Sequence, residues 1–344
     1  MSAPEIAFAV PGALATRTGG YVYDRRLISE LRSNGLAIRH LSWPDGFPMP
    51  DRAAVDQVGR SLACLADDTI VIIDGLAFGT MPALAAEFGK RLKLVALVHH
   101  PLALETGAAP GLFESECTAL RHARAVITTS AATAATLVGR YGVPAGRLVV
   151  APPGTDPAPA APRIGKPSCL LCVGTVTPRK GHDILVAALV LIRDLAWRCI
   201  MAGSLDRSPA TTQALRRQIA AAGLGARLTL AGEVEDIGAL YREADLFVLA
   251  SRHEGYGMAY AEALAHGLPV VGTSAGAIPG LVPKEAGALV PPDDPAALAN
   301  ALRRLLTDRM ARDAAAAASR RAGIGLPRWQ STAERVESLL QQLA

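Results

Sequence analysis

Short apolar runs alternate along this chain with stretches in which apolar positions return every three or four residues. The runs Ile6–Val10, Ile38–Leu41, Ile70–Ile73, Leu94–Val98, Ala125–Thr129 and Leu148–Ala151 are apolar at nearly successive positions. That pattern predicts strands covered on both faces, as in a parallel sheet. Helical patterns such as Tyr21–Ser33 and Pro82–Phe88 fall between them. The segment 152–167, PPGTDPAPAAPRIGKP, then brings six prolines and two glycines, a composition that predicts an inter-domain linker. After it the alternation restarts, with expected strands at Cys169–Val173, Arg198–Met201, Leu228–Ala231, Leu246–Leu249, Pro269–Val271 and Ala288–Val290. Trp329–Leu343 closes the pattern as an amphipathic helix. The expected fold class is therefore α/β: two tandem Rossmann-like domains, 1–155 and 168–325, followed by a terminal stretch 326–344.

Length agrees with that division, since 344 residues exceed one typical core. Half the residues are hydrophobic and 19% are charged, enough apolar surface for two cores. No apolar run reaches membrane-spanning length, and Glu5 precedes a short first run that reads as a strand and not as a secretory leader. A cytoplasmic protein is expected. The net charge of +4 is no nucleic-acid signature. Arg17, Arg25, Arg26 and Arg32 cluster loosely; a solvated face is the favoured reading, attraction to an anionic membrane surface or acceptor the sharper one. Five scattered cysteines argue against a disulfide framework. Cys169 and Cys172 form a CxxC, but within an apolar strand they point to opposite faces and read as core.

Two segments carry chemistry. Ser251–Gly280, SRHEGYGMAYAEALAHGLPVVGTSAGAIPG, sets a glycine-rich turn between the strand pattern of 244–250 and a helix over 258–266. Gly255 and Gly257 let backbone approach a ligand, and the helix start offers N–H groups and a positive dipole end to an anion. Glu254 before the helix and Glu262 within it are suited to accept hydrogen bonds from hydroxyls. Phosphate plus polyol suggests a nucleotide sugar. The second segment, Val173–His182 (VGTVTPRKGH), places Arg179 and Lys180 where a loop meets a helix, which makes a diphosphate site without a metal. Strict D-x-D, Walker and G-x-S-x-G motifs are absent, and no His/Cys/Glu set has metal-ligand spacing. No metal and no cofactor beyond the co-substrate are expected.

The combination HEGYGMAYAEALAHGLPVV, with Glu254 and Glu262 separated by seven residues, resembles the paired glutamates of retaining glycosyltransferases of family four. The resemblance implies the GT-B fold, with two domains facing a cleft and a terminal helix crossing back onto the N-terminal domain. It also implies roles. Arg179 and Lys180 look like the family's phosphate-binding pair, although Thr175 stands where many members carry a further arginine. Glu262 would hold ribose hydroxyls, while Glu254 and the backbone of Gly255, Tyr256, Gly257 and Met258 would hold donor sugar and phosphates. Gly19 and Gly20 match glycines that approach the donor diphosphate. His99, in VHHP after a strand, matches a histidine near the donor sugar; His100 stands where relatives often have an acid. Glu233 and Val234 would present backbone groups to the base, and PPGTD (Pro152–Asp156) resembles a hinge entry. Asp74, at another strand end, could orient an acceptor hydroxyl or cap a turn.

The function implied is transfer of a hexosyl group, with retention, from a UDP- or GDP-sugar to a hydroxyl acceptor: a glycan, a lipid-linked sugar or a small metabolite. A bacterial cell-envelope or exopolysaccharide glycan is the preferred acceptor class, with peripheral membrane contact open and no nucleic-acid partner expected. A GT-B nucleotide-sugar epimerase and a non-catalytic nucleotide-sugar-binding subunit are the alternatives.

Overall fold

The computed structural model describes residues 5–344; the first four residues of the expected domain 1–155 lie outside it. The described chain divides into two compact units, one formed by Met1–Gly154 with Pro327–Ala344, the other by Thr155–Leu326.

The first unit holds six strands: β1 (Ile6–Pro11), β2 (Ile38–Trp43), β3 (Ile70–Asp74), β4 (Lys93–Val98), β5 (Ala125–Thr128) and β6 (Leu148–Val150). Its helices are α1 (Gly19–Ser33), α2 (Arg52–Ala63), α3 (Gly75–Phe78), α4 (Pro82–Phe88), α5 (Leu112–Arg121) and α6 (Ala131–Tyr141). The sheet order is β2-β1-β3-β4-β5-β6 with every pairing parallel. Strands β1 and β3 are buried at every position, which explains why they read as unbroken apolar runs. β2 runs two residues beyond the expected Leu41, because Ser42 and Trp43 still find partners in Val10 and Pro11.

The second unit repeats the plan with β7 (Ser168–Val173), β8 (Trp197–Ala202), β9 (Leu228–Gly232), β10 (Leu246–Leu249), β11 (Val270–Thr273) and β12 (Gly287–Val290). Its helices are α7 (His182–Leu191), α8 (Pro209–Ala221), α9 (Ile237–Glu243), α10 (Met258–Ala265), α11 (Ile278–Leu281), α12 (Pro295–Thr307) and α13 (Arg309–Ile324). The order is β12-β11-β10-β7-β8-β9, again all parallel. Cys169, Cys172 and Cys199 are buried free thiols within this core, as the strand pattern predicts.

The proline-rich stretch after Gly154 has no regular secondary structure, yet it is tied down within the second unit and is no loose tether. Ala161 N donates to His266 O at 2.8 Å, Arg320 donates to Ala158 O at 2.6 Å, and Gly165 N donates to Asp245 Oδ1 at 3.1 Å. A chain whose prolines lack N–H groups satisfies its remaining backbone through such long-range backbone and side-chain partners.

Helix α14 (Trp329–Leu343) belongs to the first unit. Its buried residues Trp329, Thr332, Ala333, Val336, Leu339 and Leu340 form one stripe at helical spacing. The stripe packs toward α1 and β6: Tyr23 meets Trp329 edge-on at 5.8 Å, and Thr332 Oγ1 donates to Pro152 O at 2.6 Å. A Cβ at Gly154 would overlap the backbone of Trp329, so this contact requires glycine. The basic residues near α1 are largely used in place. Arg25 donates to Leu14 O at 2.8 Å, Arg32 to Ile38 O at 2.8 Å, and the Arg26 guanidinium lies 5.1 Å from the Trp329 ring centre.

Candidate functional site

Open parallel sheets bind ligands at the C-terminal strand ends, where the strand order reverses. In the second unit that point lies between β7 and β10, and in the first between β1 and β3. Both points carry a charged cluster.

In the second unit, Arg179 and Lys180 follow β7 and Glu254 follows β10. The loop after β7 is pinned to the end of β10 because Gly181, at φ +64°, would overlap the Ala250 carbonyl if it carried a Cβ. Lys180 Nζ donates to Glu254 Oε1 at 2.6 Å, and Ser251 Oγ donates to the same oxygen at 2.6 Å. Arg179 stands 3.6 Å from Glu254 Oε2 and donates to His253 O at 2.8 Å. Ala277 N donates to Glu254 O at 2.9 Å, and Gly276, at φ +58°, leaves no room for a Cβ beside that carbonyl. Glu254 is thus held at both ends. Burial alone would raise its pKa, but Lys180 and Arg179 outweigh it and hold the carboxyl down at about 2. Burial pulls Lys180 below the usual lysine range, opposed by Glu254. His182, opening α7, is pushed down to about 4 by burial and by Lys180.

The turn over Gly255, Tyr256 and Gly257 leads into α10, whose first residue is Met258. Gly257 adopts φ +100°, and a Cβ there would overlap Ile278. The first turn of α10 contains no acidic residue, and its leading N–H groups have no partners within the helix. Glu262 sits half-buried on the next turn of α10 and interacts with the Tyr241 hydroxyl; burial raises its pKa to about 7, the Tyr241 bond opposing. Glu233, exposed, and Val234, half-buried, follow β9, the edge strand two places from β7.

In the first unit, Gly19 and Gly20 are the first residues of α1. A Cβ at Gly20 would stand 3.2 Å from His99 Cδ2, so this glycine lets α1 start against the histidine. His99 follows β4, and its Nε2 lies 3.1 Å from Asp24 Oδ1 and 3.1 Å from Asp74 Oδ2. Asp74 also caps α3, accepting from Leu76 N at 2.7 Å through Oδ1; of the two open readings of this residue, this is the capping one. Burial disfavours the charged ring, but the two aspartates outweigh it and push His99 up to about 10. Asp24 is raised by burial and by the neighbouring Asp74. His100 pairs with Glu105 at 3.2 Å.

Arg179, Lys180 and Glu254 are therefore brought together, with Ser251 as an unforeseen partner. Glu262 lies instead beside Tyr241, and Glu233 and Val234 follow β9. Gly19, Gly20 and His99 share the first unit with Asp24, which sequence reasoning missed. The signal was present: Asp24 interrupts the apolar stripe of α1, lying among the buried residues Tyr23, Leu27, Ile28 and Leu31. The cluster of Asp24, Asp74 and His99 also offers a set of possible metal-ligating atoms. Spacing could not reveal it, because its members come from three separate elements.

Two parallel doubly wound units of this kind define the GT-B architecture, and the full chain superposes on solved structures of that type. Sucrose-phosphate synthase from Thermosynechococcus elongatus matches with a TM-score of 0.84 at 21% identity, covering 99% of each chain. HepE from Anabaena, solved in complex with UDP-glucose, matches with a TM-score of 0.80 at 18% identity, covering 98% of this chain and 99% of its own. Within that architecture, residues 25–159 match the family described as Glycosyltransferase Family 4, and residues 167–308 match Glycosyl transferases group 1. Each half of the chain is thus similar to a glycosyltransferase family. Among curated relatives, the lipopolysaccharide core biosynthesis mannosyltransferase LpsB of Rhizobium meliloti (strain 1021) is 34% identical over 204 residues, 55% of this chain and 57% of LpsB. The chain spans between 40% and 61% of the length of three such relatives.

Proposed function

We propose that this protein is a retaining glycosyltransferase that moves a hexosyl group from a UDP- or GDP-sugar to a hydroxyl acceptor, with the leaving diphosphate neutralised by protein cations and not by a metal ion. The observation that carries the reading is the cluster at the end of β7 and β10, where Lys180 and Arg179 are already aimed at one carboxylate. Two cations against one carboxylate leave one positive charge over, and the first turn of α10 adds dipole. A nucleoside diphosphate meets that surplus, while Glu254 is freed to accept hydrogen bonds from sugar hydroxyls. Glu262 is the candidate for the ribose, the backbone of Glu233 and Val234 for the base, and Gly19, Gly20 and His99 for the donor's diphosphate and sugar. The leaving phosphate oxygen takes the acceptor's proton on the face from which the diphosphate departs. The likeness to LpsB supports a bacterial glycan or lipid-linked acceptor. Among the described residues no helix is long and apolar enough to cross a membrane, and the proposed site of action is the cytoplasm, including the membrane's inner face.

Calorimetry with UDP, GDP and ADP, with and without EDTA, tests this reading. Saturable binding of one diphosphate in EDTA, abolished by Lys180→Ala, is the expected result. Binding that vanishes in EDTA or survives Lys180→Ala undivided would remove the assignment of the leaving group to this cluster.

A further inference from the structure

Arg252 lies between Ser251 and Glu254 on the turn that follows β10. Its main chain and its side chain both reach the segment that bears Arg179 and Lys180. Arg252 N donates to Arg179 O at 2.7 Å, and the guanidinium Nη1 donates to Pro178 O. The same guanidinium donates twice to the Asp183 carboxylate in the first turn of α7, at 3.1 Å and 2.7 Å. Its Nε donates to Asp293 Oδ1 at 2.7 Å, on the loop after β12. Asp293 adopts φ +59°, uncommon for a residue other than glycine. One planar side chain thus joins the loops that follow β7, β10 and β12. The base of this arm is fixed in turn, because Thr273 Oγ1 at the end of β11 donates to Ser251 O.

Charge separates Arg252 from Arg179 and Lys180. Its single positive charge faces both Asp183 and Asp293, so it has no surplus to offer a diphosphate. Those carboxylates are 51% and 57% exposed, and ion pairs so open to water add little to global stability. What the network fixes is position. We propose that Arg252 is a positioning residue for the nucleoside-diphosphate site, a clamp that sets the loop of Arg179 and Lys180 against the turn of Glu254 by tying Pro178, Asp183 and Asp293 together. The inference rests on the reading of that cluster as the site of the leaving group. A planar fork of N–H donors serves all these acceptors at once, whereas a lysine ammonium is a point charge and cannot. With the fork removed, Lys180 keeps its charge but loses part of the support that aims it at Glu254.

The test is calorimetry of the whole chain with UDP and with GDP. Arg252→Met should weaken the diphosphate that binds by about tenfold, and Arg252→Lys, which keeps the charge and loses the fork, should weaken it similarly. Asp293→Asn should weaken binding to a smaller extent. That variant alters one exposed pair and should keep its melting temperature, so the test stands even where Arg252→Met fails to fold. Tighter binding by Asp293→Asn would mean that a freed Arg252 acts as a direct phosphate partner, and would overturn the proposal. Full recovery in Arg252→Lys would show that charge and not geometry matters, and would overturn it too. Lower melting temperatures with unchanged affinity would leave Arg252 a structural role only. A loss of binding in Lys180→Ala with none in Arg252→Met overturns this inference alone. Failure of both diphosphates to bind the unaltered protein overturns the reading of the cluster, and this inference with it.

Discussion

The two switch points of this molecule have the same backbone logic and opposite electrostatics. Between β1 and β3, two buried carboxylates converge on one imidazole. Between β7 and β10, two cations converge on one carboxylate. The parallel sheet supplies only a place where loops gather; the side chains decide which sign of partner that place accepts. In the second unit the cations outnumber the carboxylate, whereas in the first the carboxylates outnumber the single imidazole.

The largest expected break in this comparison is Lys180→Ala. Loss of a preorganised positive charge at the leaving group should lower kcat by about 10²–10³-fold, measured by donor turnover on protein shown to be folded. A loss under tenfold would mean that the cluster at β7 and β10 does not carry the departing charge. Next come matched glycine substitutions. Gly181→Ala forces a side chain into φ +64° and into the Ala250 carbonyl, and should cost about 3 kcal/mol or more in a denaturant titration. Gly20→Ala meets only a movable His99 ring at 3.2 Å and should cost about 1 kcal/mol. Equal costs would show that the two switch points are not built with different tolerances.

A smaller effect follows from pH. Glu254 titrates near 2 in the folded protein against an ordinary 4.5. Its contribution is therefore present above pH 4.5 and is lost as pH falls toward 2, on the order of a few kcal/mol. Melting temperatures across that window should fall more steeply for the natural protein than for Glu254→Gln; parallel curves would mean that the carboxylate gains little from Lys180 and Arg179. Smallest is the effect at Glu262, whose pKa is raised from 4.5 to about 7. Ionising it costs stability as pH rises from 4.5 through 7. Donor affinity should change with pH near neutrality, and Glu262→Gln should flatten that dependence in calorimetry. An unaltered profile would take Glu262 out of ribose binding.

Much of the fold was legible because the central strands of both sheets are buried on both faces. Runs such as Ile70–Ile73 and Leu246–Leu249 need no alternation to be recognised as strands, and Trp329–Leu343 shows its stripe directly. Strand ends were less legible: Ser42 and Trp43 extend β2 only because β1 continues beside them. The same contrast divides the site. Arg179, Lys180 and Glu254 lie in compact motifs with glycines whose geometry demands them, so their types and order could be read locally as a candidate phosphate-binding turn. Asp24 gave only the faint sign of a charge within an apolar stripe. Its partners lie 50 and 75 residues away in sequence, and no local pattern joins an α1 side chain to the ends of β3 and β4. Ser251 was missed for a similar reason: a hydroxyl beside a strand end is unremarkable until the carboxylate it serves is known.

The attachment of α14 to the first unit has a consequence for biosynthesis. Residues 155–326 are translated between the two parts of that unit, so a ribosome delivers it in two instalments. Until Trp329 arrives, Tyr23 and the groove between α1 and β6 lack their cover, while every strand of the second unit has already been made. The nascent first unit must therefore wait, with apolar surface exposed, through the synthesis of its neighbour. Chaperone demand should be concentrated in that interval.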